Sequence, residues 1–135
     1  MGTGIIVKDS INLLQGKLAN YPSVTYQVKK NELAVRPSSE TGFAVTFSDC
    51  DNQFVVTYGG CWHEHFNDLE EAIKCFIFGL SSKCRLKVES KGTFEFRWTL
   101  QSRIDDAWSD ANVIGLFFYP FWRKTQVKFL QNEFL

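Results

Sequence analysis

The chain has 135 residues, with 15 lysines and arginines balanced by 15 aspartates and glutamates. Its length fits one domain with a sizeable core, and the balanced charge provides no general cationic field for phosphate backbones, so we expect no nucleic-acid partner. The first ten residues contain an apolar run of only Ile5, Ile6 and Val7. This run is too short for a secretory signal or a membrane span, so we predict a cytoplasmic protein with no membrane partner.

Two helices are predicted from apolar residues that recur at helical spacing. The first covers about residues 10 to 20, before Tyr21-Pro22, and its apolar face consists of Ile11, Leu14 and Leu18. The second covers about residues 68 to 80, where Asp68 and Glu71 form a start resembling a capping box. Its apolar positions are Leu69, Ile73, Phe76 and Leu80.

The remaining apolar residues alternate with polar ones, which predicts strands separated by short turns. The alternating sets include Val24/Tyr26/Val28, Leu33/Val35, Phe43/Val45/Phe47, Phe54/Val56/Tyr58, Leu86/Val88, Phe94/Phe96/Trp98/Leu100 and Val127/Phe129. Residues 102–112 are predicted as a loop or short helical turn. We therefore predict a single α+β domain over residues 1–135, with an antiparallel, meander-like sheet of about seven to nine strands and the second helix packed on one face.

One predicted hairpin carries charges of both signs on the face opposite its aromatic residues. These polar positions are Arg85, Lys87 and Glu89 on the first strand, and Glu95, Arg97, Thr99 and Gln101 on the second. Opposite charges facing each other across strands are typical of a solvated sheet face. The alternative is a polar groove in which Arg97 binds an anion.

The sequence CWHEHF at residues 61–66 is a candidate metal site. In a strand, Cys61, His63 and His65 lie on one face, and Trp62 and Phe66 lie on the other. A thiolate and two imidazoles suit zinc, although a fourth ligand or a water is still needed. One alternative is a structural strand, with its aromatic residues in the core and its histidines partly exposed, or the reverse. Another is a histidine pair that responds to pH or contacts a ligand.

The spacing His63-x-His65 followed by Glu70 resembles the first half of the cupin metal motif. The resemblance covers eight residues, and the family's later metal-binding histidine has no counterpart because the chain has only two histidines. Cupin membership is therefore rejected. Cys61 with His63 as its base lacks an evident oxyanion hole or nucleophile elbow, so the sequence leans away from an enzyme. The four cysteines have no metal-finger spacing and are expected to be mostly buried thiols.

Aromatic residues cluster just before the last predicted strand. A proline-interrupted run flanked by basic residues is either core or an exposed interface, because aromatic residues and arginine dominate interface hot spots. The candidate interface residues are Phe117, Phe118, Tyr119, Phe121, Trp122 and Arg123.

The sequence supports three hypotheses about function. The favoured one is a non-catalytic domain, of an inhibitor, escort or regulatory kind or self-associating, that binds another protein or its own copy through residues 116–122. The second is a zinc-type module or metal-dependent enzyme centred on Cys61, His63 and His65, and it alone implies a cofactor. The third is a small-ligand pocket between sheet and helix, with Arg97, Trp98 and Trp108 at its mouth.

Overall fold

The computed structural model describes residues 8–115 and 124–134. Within them the chain forms, in order, α1 (Asp9–Leu18), β1 (Tyr26–Lys29), β2 (Glu32–Val35), β3 (Val45–Asp49), β4 (Phe54–Tyr58), β5 (Trp62–Phe66), α2 (Leu69–Gly79), β6 (Cys84–Lys91), β7 (Phe94–Ile104), β8 (Ala107–Gly115) and β9 (Thr125–Gln131). The predicted α+β class with antiparallel strands is confirmed. The sequence had not resolved that the strands divide into two sheets.

Helix α1 packs its apolar face into the core. Ile11 and Leu14 are fully buried and Leu18 almost so, because residues three and four apart lie on the same side of a helix. At the start of the helix, the buried hydroxyl of Ser10 donates to a carboxylate oxygen of Asp49 at 2.5 Å. This bond attaches the first turn of α1 to the end of β3.

The first sheet is a five-stranded meander in which each strand pairs with its neighbour in sequence, from β1 to β5. Its pairing is regular, with Phe47 opposite Val56 and Tyr58 opposite Trp62. Alternate side chains point to opposite faces, so one face forms the core. The buried apolar residues of this face are Leu33, Val35, Val45, Phe47, Val56, Tyr58 and Trp62.

Helix α2 begins where the capping pattern predicted. Asp68 is its N-cap, and a carboxylate oxygen of Asp68 accepts the Glu70 backbone N–H at 3.0 Å. The helix packs against β3, β4, β5 and β6. Near its C-terminal end, a Cβ on Gly79 would lie only 2.4 Å from Cε1 of Tyr58, so this close approach requires glycine. The buried residues of the helix are Ala72, Ile73, Phe76 and Gly79.

The second sheet has four strands in the order β8, β7, β6, β9. All its pairs are antiparallel, but β9 returns to pair with β6 rather than with its predecessor in sequence. Within residues 8–115 and 124–134, strands β8 and β9 are therefore the two edges of this sheet.

Residues 102–112 form a hairpin, so the prediction of a loop or helical turn there was wrong. Strand β7 continues to Ile104, and β8 begins at Ala107. The connecting residues Asp105 and Asp106 have φ of 52° and 64°. Two-residue hairpin turns of type I′ require positive φ at both central positions, where Asn-Gly is the usual sequence, but aspartate also tolerates the left-handed region.

A buried asparagine connects the end of β9 to both halves of the fold. The side chain of Asn132 is fully buried, and its Nδ2 donates to the carbonyl oxygens of Phe43 at 2.8 Å and Gly79 at 3.1 Å. Its Oδ1 accepts the backbone N–H groups of Ser38 at 3.2 Å and Phe43 at 3.1 Å. One side chain thus joins the loop before β3, the C-terminal end of α2 and the segment after β9.

Candidate functional site

Residues 62–66 of the CWHEHF stretch form strand β5, in which Trp62 points inward and the two histidines point outward. Trp62 is fully buried, whereas Cys61, His63 and His65 are exposed. His63 Nδ1 donates to the Cys61 carbonyl oxygen at 3.2 Å, and His65 Nδ1 donates to the Gln53 side-chain oxygen at 2.8 Å. The two imidazole centroids lie 5.4 Å apart. The stretch is thus a strand with partly exposed histidines.

The zinc hypothesis needs three or more donors that converge on one point. Across residues 8–115 and 124–134, no group of three or more His, Cys, Asp or Glu side chains is arranged to hold a metal ion. Burial, and then the charge of Glu95, raise the pKa of the Cys61 thiol. This shift disfavours the thiolate, which is the form that binds metals and attacks electrophiles. The zinc centre at Cys61, His63 and His65 stays a prediction.

The other cysteines also differ from the expectation of mostly buried thiols. Cys84 is buried and Cys75 is half-buried, but Cys50 and Cys61 are exposed. The exposed pair lie in turns next to β3 and β5, where the alternation of the strands no longer sets burial.

The residues of the predicted ligand pocket lie on different surfaces. Trp98 is buried in the core, while its neighbour Arg97 points to the opposite face and forms an ion pair with Glu89 at 3.2 Å. Trp108 lies opposite Arg103, six residues further along β7 than Arg97. At about 3.3 Å per residue this separation is roughly 20 Å. Arg97, Trp98 and Trp108 are therefore not brought to one mouth.

The outer face of the four-stranded sheet has a feature that the sequence did not reveal. The guanidinium carbon of Arg85 lies 4.2 Å from the ring centroid of Trp108 and 4.1 Å from that of Phe129. Arg85 Nε also donates to the Gln101 side-chain oxygen at 2.7 Å, and Gln101 Nε2 donates to Asp110 at 2.7 Å. We call these five residues the Arg85 cluster.

The Arg85 cluster spans all four strands of the sheet, because β6 lies between β7 and β9 and β7 pairs with β8. Each guanidinium–ring contact is a cation–π interaction, and Gln101 keeps only 7% of its surface exposed beneath it. The predicted solvated face is therefore partly closed: Glu89 and Arg97 pair as expected, but Gln101 and Thr99 are buried. Only the strand order could have shown which rings meet Arg85.

Edge strand β9 exposes apolar side chains beside this cluster. Val127 is 48% exposed and Phe129 is 45% exposed. The predicted interface residues Phe117, Phe118, Tyr119, Phe121, Trp122 and Arg123 lie in the chain between β8 and β9, outside the described residues.

A groove of about 480 Å³ lies between the two helices, and its apolar side is formed by Leu13, Leu69 and Ile73. It contains none of the residues predicted as sites. Neither helix within the described ranges is long and apolar enough to cross a bilayer.

Comparisons with known proteins add no relative: no protein-family model, curated protein or solved structure gives a significant match to this chain.

Proposed function

We propose that this protein is a non-catalytic interaction domain that binds another protein, or its own copy, through the outer face and β9 edge of the four-stranded sheet. The observation that carries the proposal is the half-exposed pair Val127 and Phe129 on an edge strand. The aromatic segment 116–122, predicted as an interface from the sequence, lies outside the described residues, and its part in binding stays a prediction.

The Arg85 cluster supports the proposal because it holds interface-type side chains in place before binding. Phe129 and Trp108 are packed on either side of one guanidinium, which is itself fixed by Gln101. Aromatic residues and arginine are the side chains most enriched in binding hot spots. An anchor that is already ordered loses less conformational entropy when a partner binds.

The experiment is photo-crosslinking in the cells that produce the protein. A benzophenone amino acid replaces Phe129 in one variant and Leu13 in the other, because Leu13 is similarly exposed, at 47%, but lies on α1. We expect a discrete protein adduct from position 129 that mass spectrometry identifies reproducibly, and none from position 13. Adducts only at position 13, or at neither position, would contradict the proposal.

A further inference from the structure

We infer that two copies of this chain associate by antiparallel pairing of their β9 strands, which joins their four-stranded sheets into one continuous sheet across a two-fold axis. This inference rests on the proposed function and names the partner as a second copy. It uses the backbone edge of β9 and the positions of its charges.

In the part of the chain that the structure describes, most of the outer backbone groups of β9 are available for pairing. Gln131 N–H donates to the Thr41 carbonyl oxygen at 2.7 Å, so residue 131 points its backbone groups away from β6. Because backbone direction alternates along an antiparallel strand, Thr125, Val127 and Phe129 also point outward. Among the described residues these three have no backbone partner on that side.

Strand β9 also lacks the usual protection of a sheet edge. Proteins commonly protect edges with proline, bulges or charges that prevent another strand from pairing. The β9–β6 register runs unbroken from Thr125 to Gln131, and the strand contains no proline. Lys128 is its single charge and forms an exposed ion pair with Glu95 at 2.8 Å, so the other six positions of the strand are uncharged. By contrast, the pairing of the other edge, β8, is irregular between Leu100 and Gln101.

In one register of two β9 strands, the outward backbone groups of both strands pair with each other and no like charges lie opposite each other. With Val127 opposite its own copy, Thr125 lies opposite Phe129 of the other chain. These pairs provide about six backbone hydrogen bonds between the chains. An aromatic residue beside a β-branched one is a favourable cross-strand pair, and Lys128 then lies opposite the neutral Gln126.

The two neighbouring registers bring like charges together. A shift in one direction places Lys128 opposite its own copy, and a shift in the other places it opposite Lys124. Like charges directly opposite each other destabilise strand pairing. The charge pattern therefore selects the register centred on Val127.

Electrostatics at longer range do not oppose self-association. The chain has a formal net charge of +0, so two copies have little overall repulsion. A two-fold interface uses the same surface on both chains, and two-fold dimers are the commonest oligomers. The self-complementary edge thus favours a second copy over an unrelated strand.

The test is sedimentation equilibrium of the full chain over a range of concentrations, with charge-swap variants at position 127. We expect the wild type to form dimers, and Val127→Lys and Val127→Glu each to weaken dimerisation at least about tenfold, since each places like charges together on the two-fold axis. An equimolar mixture of the two variants should recover a heterodimer. Leu13→Lys is the matched control and should leave dimerisation unchanged, because its side chain is equally exposed on α1.

Urea denaturation of each variant establishes that it is folded, and hydrogen exchange provides a second readout. The amides of Val127 and Phe129 should become more protected as the wild-type concentration rises. A wild type that stays monomeric at its highest soluble concentration, or a dimer that survives both variants, would overturn β9 pairing. Crosslinks from position 129 to a different protein would in those cases leave the proposed function standing, whereas their absence would remove it as well.

Discussion

Replacing Asn132 with aspartate tests the polar junction at the end of β9 with a change of one functional group. The amide nitrogen that donates to the carbonyl oxygens of Phe43 and Gly79 becomes an oxygen that cannot donate when ionised. The other oxygen can still accept from Ser38 and Phe43. Size and shape are almost unchanged, so packing stays constant.

The expected loss follows from the two carbonyl groups left without a donor. Each buried polar group that loses its partner costs about 1–3 kcal/mol, so Asn132→Asp should lower the free energy of unfolding by about 2–6 kcal/mol. At 3–5 °C per kcal/mol for a chain of this size, the melting temperature should fall by roughly 6–30 °C.

The loss should also depend on pH. Burial beside two carbonyl oxygens raises the pKa of the introduced carboxyl above about 3.9, its value in an unfolded chain. When the folded pKa is raised, stability is fully retained below the unfolded pKa of about 3.9. It is lost as the pH rises from there through the folded pKa. The variant should therefore be closest to wild type in acid and furthest from it at neutral pH.

The assay is urea unfolding followed by tryptophan fluorescence, compared with Asn67→Asp, which makes the same chemical change at an exposed position before α2. We expect Asn67→Asp to lie within about 0.5 kcal/mol of wild type, as surface substitutions usually do. If Asn132→Asp matched that control at pH 7, the role assigned to the Asn132 hydrogen bonds would be refuted.

Three further predictions concern the thiols and the glycines. Ellman's reagent should titrate two thiols in the native protein, Cys50 and Cys61, and all four after denaturation; fast reaction of a third native thiol would contradict the burial described. Burial raises the pKa of Cys75 from 9.0 to about 11, so the folded state keeps a proton that the unfolded state loses. Stability should therefore fall by about 2–3 kcal/mol between pH 9 and 11, and parallel urea curves for wild type and Cys75→Ala across that range would disprove this origin. Gly79→Ala should lower the free energy of unfolding in urea by about 1–3 kcal/mol, because the added methyl would lie 2.4 Å from the buried Tyr58 ring. Gly16→Ala, with nothing within 4 Å, should raise it by about 0.5–1 kcal/mol. Equal effects of the two substitutions would show that the Tyr58 ring moves freely.

Local patterns in the sequence predicted most elements because local physics determines them. Helix α2 follows from Asp68 and the apolar spacing behind it, and β9 follows from the alternation around Val127 and Phe129. The hairpin at Asp105-Asp106 was missed because its turn uses left-handed aspartates in place of the usual glycine sequence.

The candidate site was harder to predict because it depends on which strands are neighbours. Arg85 meets Phe129 only because β9 pairs with β6, and it meets Trp108 only because β8 and β6 both pair with β7; no periodicity encodes these choices. Asn132 was missed for a related reason: its partners lie far away in sequence, and a lone asparagine after a strand has no distinguishing pattern. Alternation determined only the face on which each side chain lies.

The hydrogen bonds of Asn132 can form only late in the synthesis of the protein. Phe43 and Asn132 are 89 residues apart, which a ribosome takes about 4–18 s to translate at roughly 5–20 residues per second. Strands β1 to β5 can pair much earlier, since the last of them ends at Phe66. Until Asn132 is synthesised, the backbone of the loop before β3 must remain hydrated. The nascent meander is therefore uncovered on that side and accessible to chaperones.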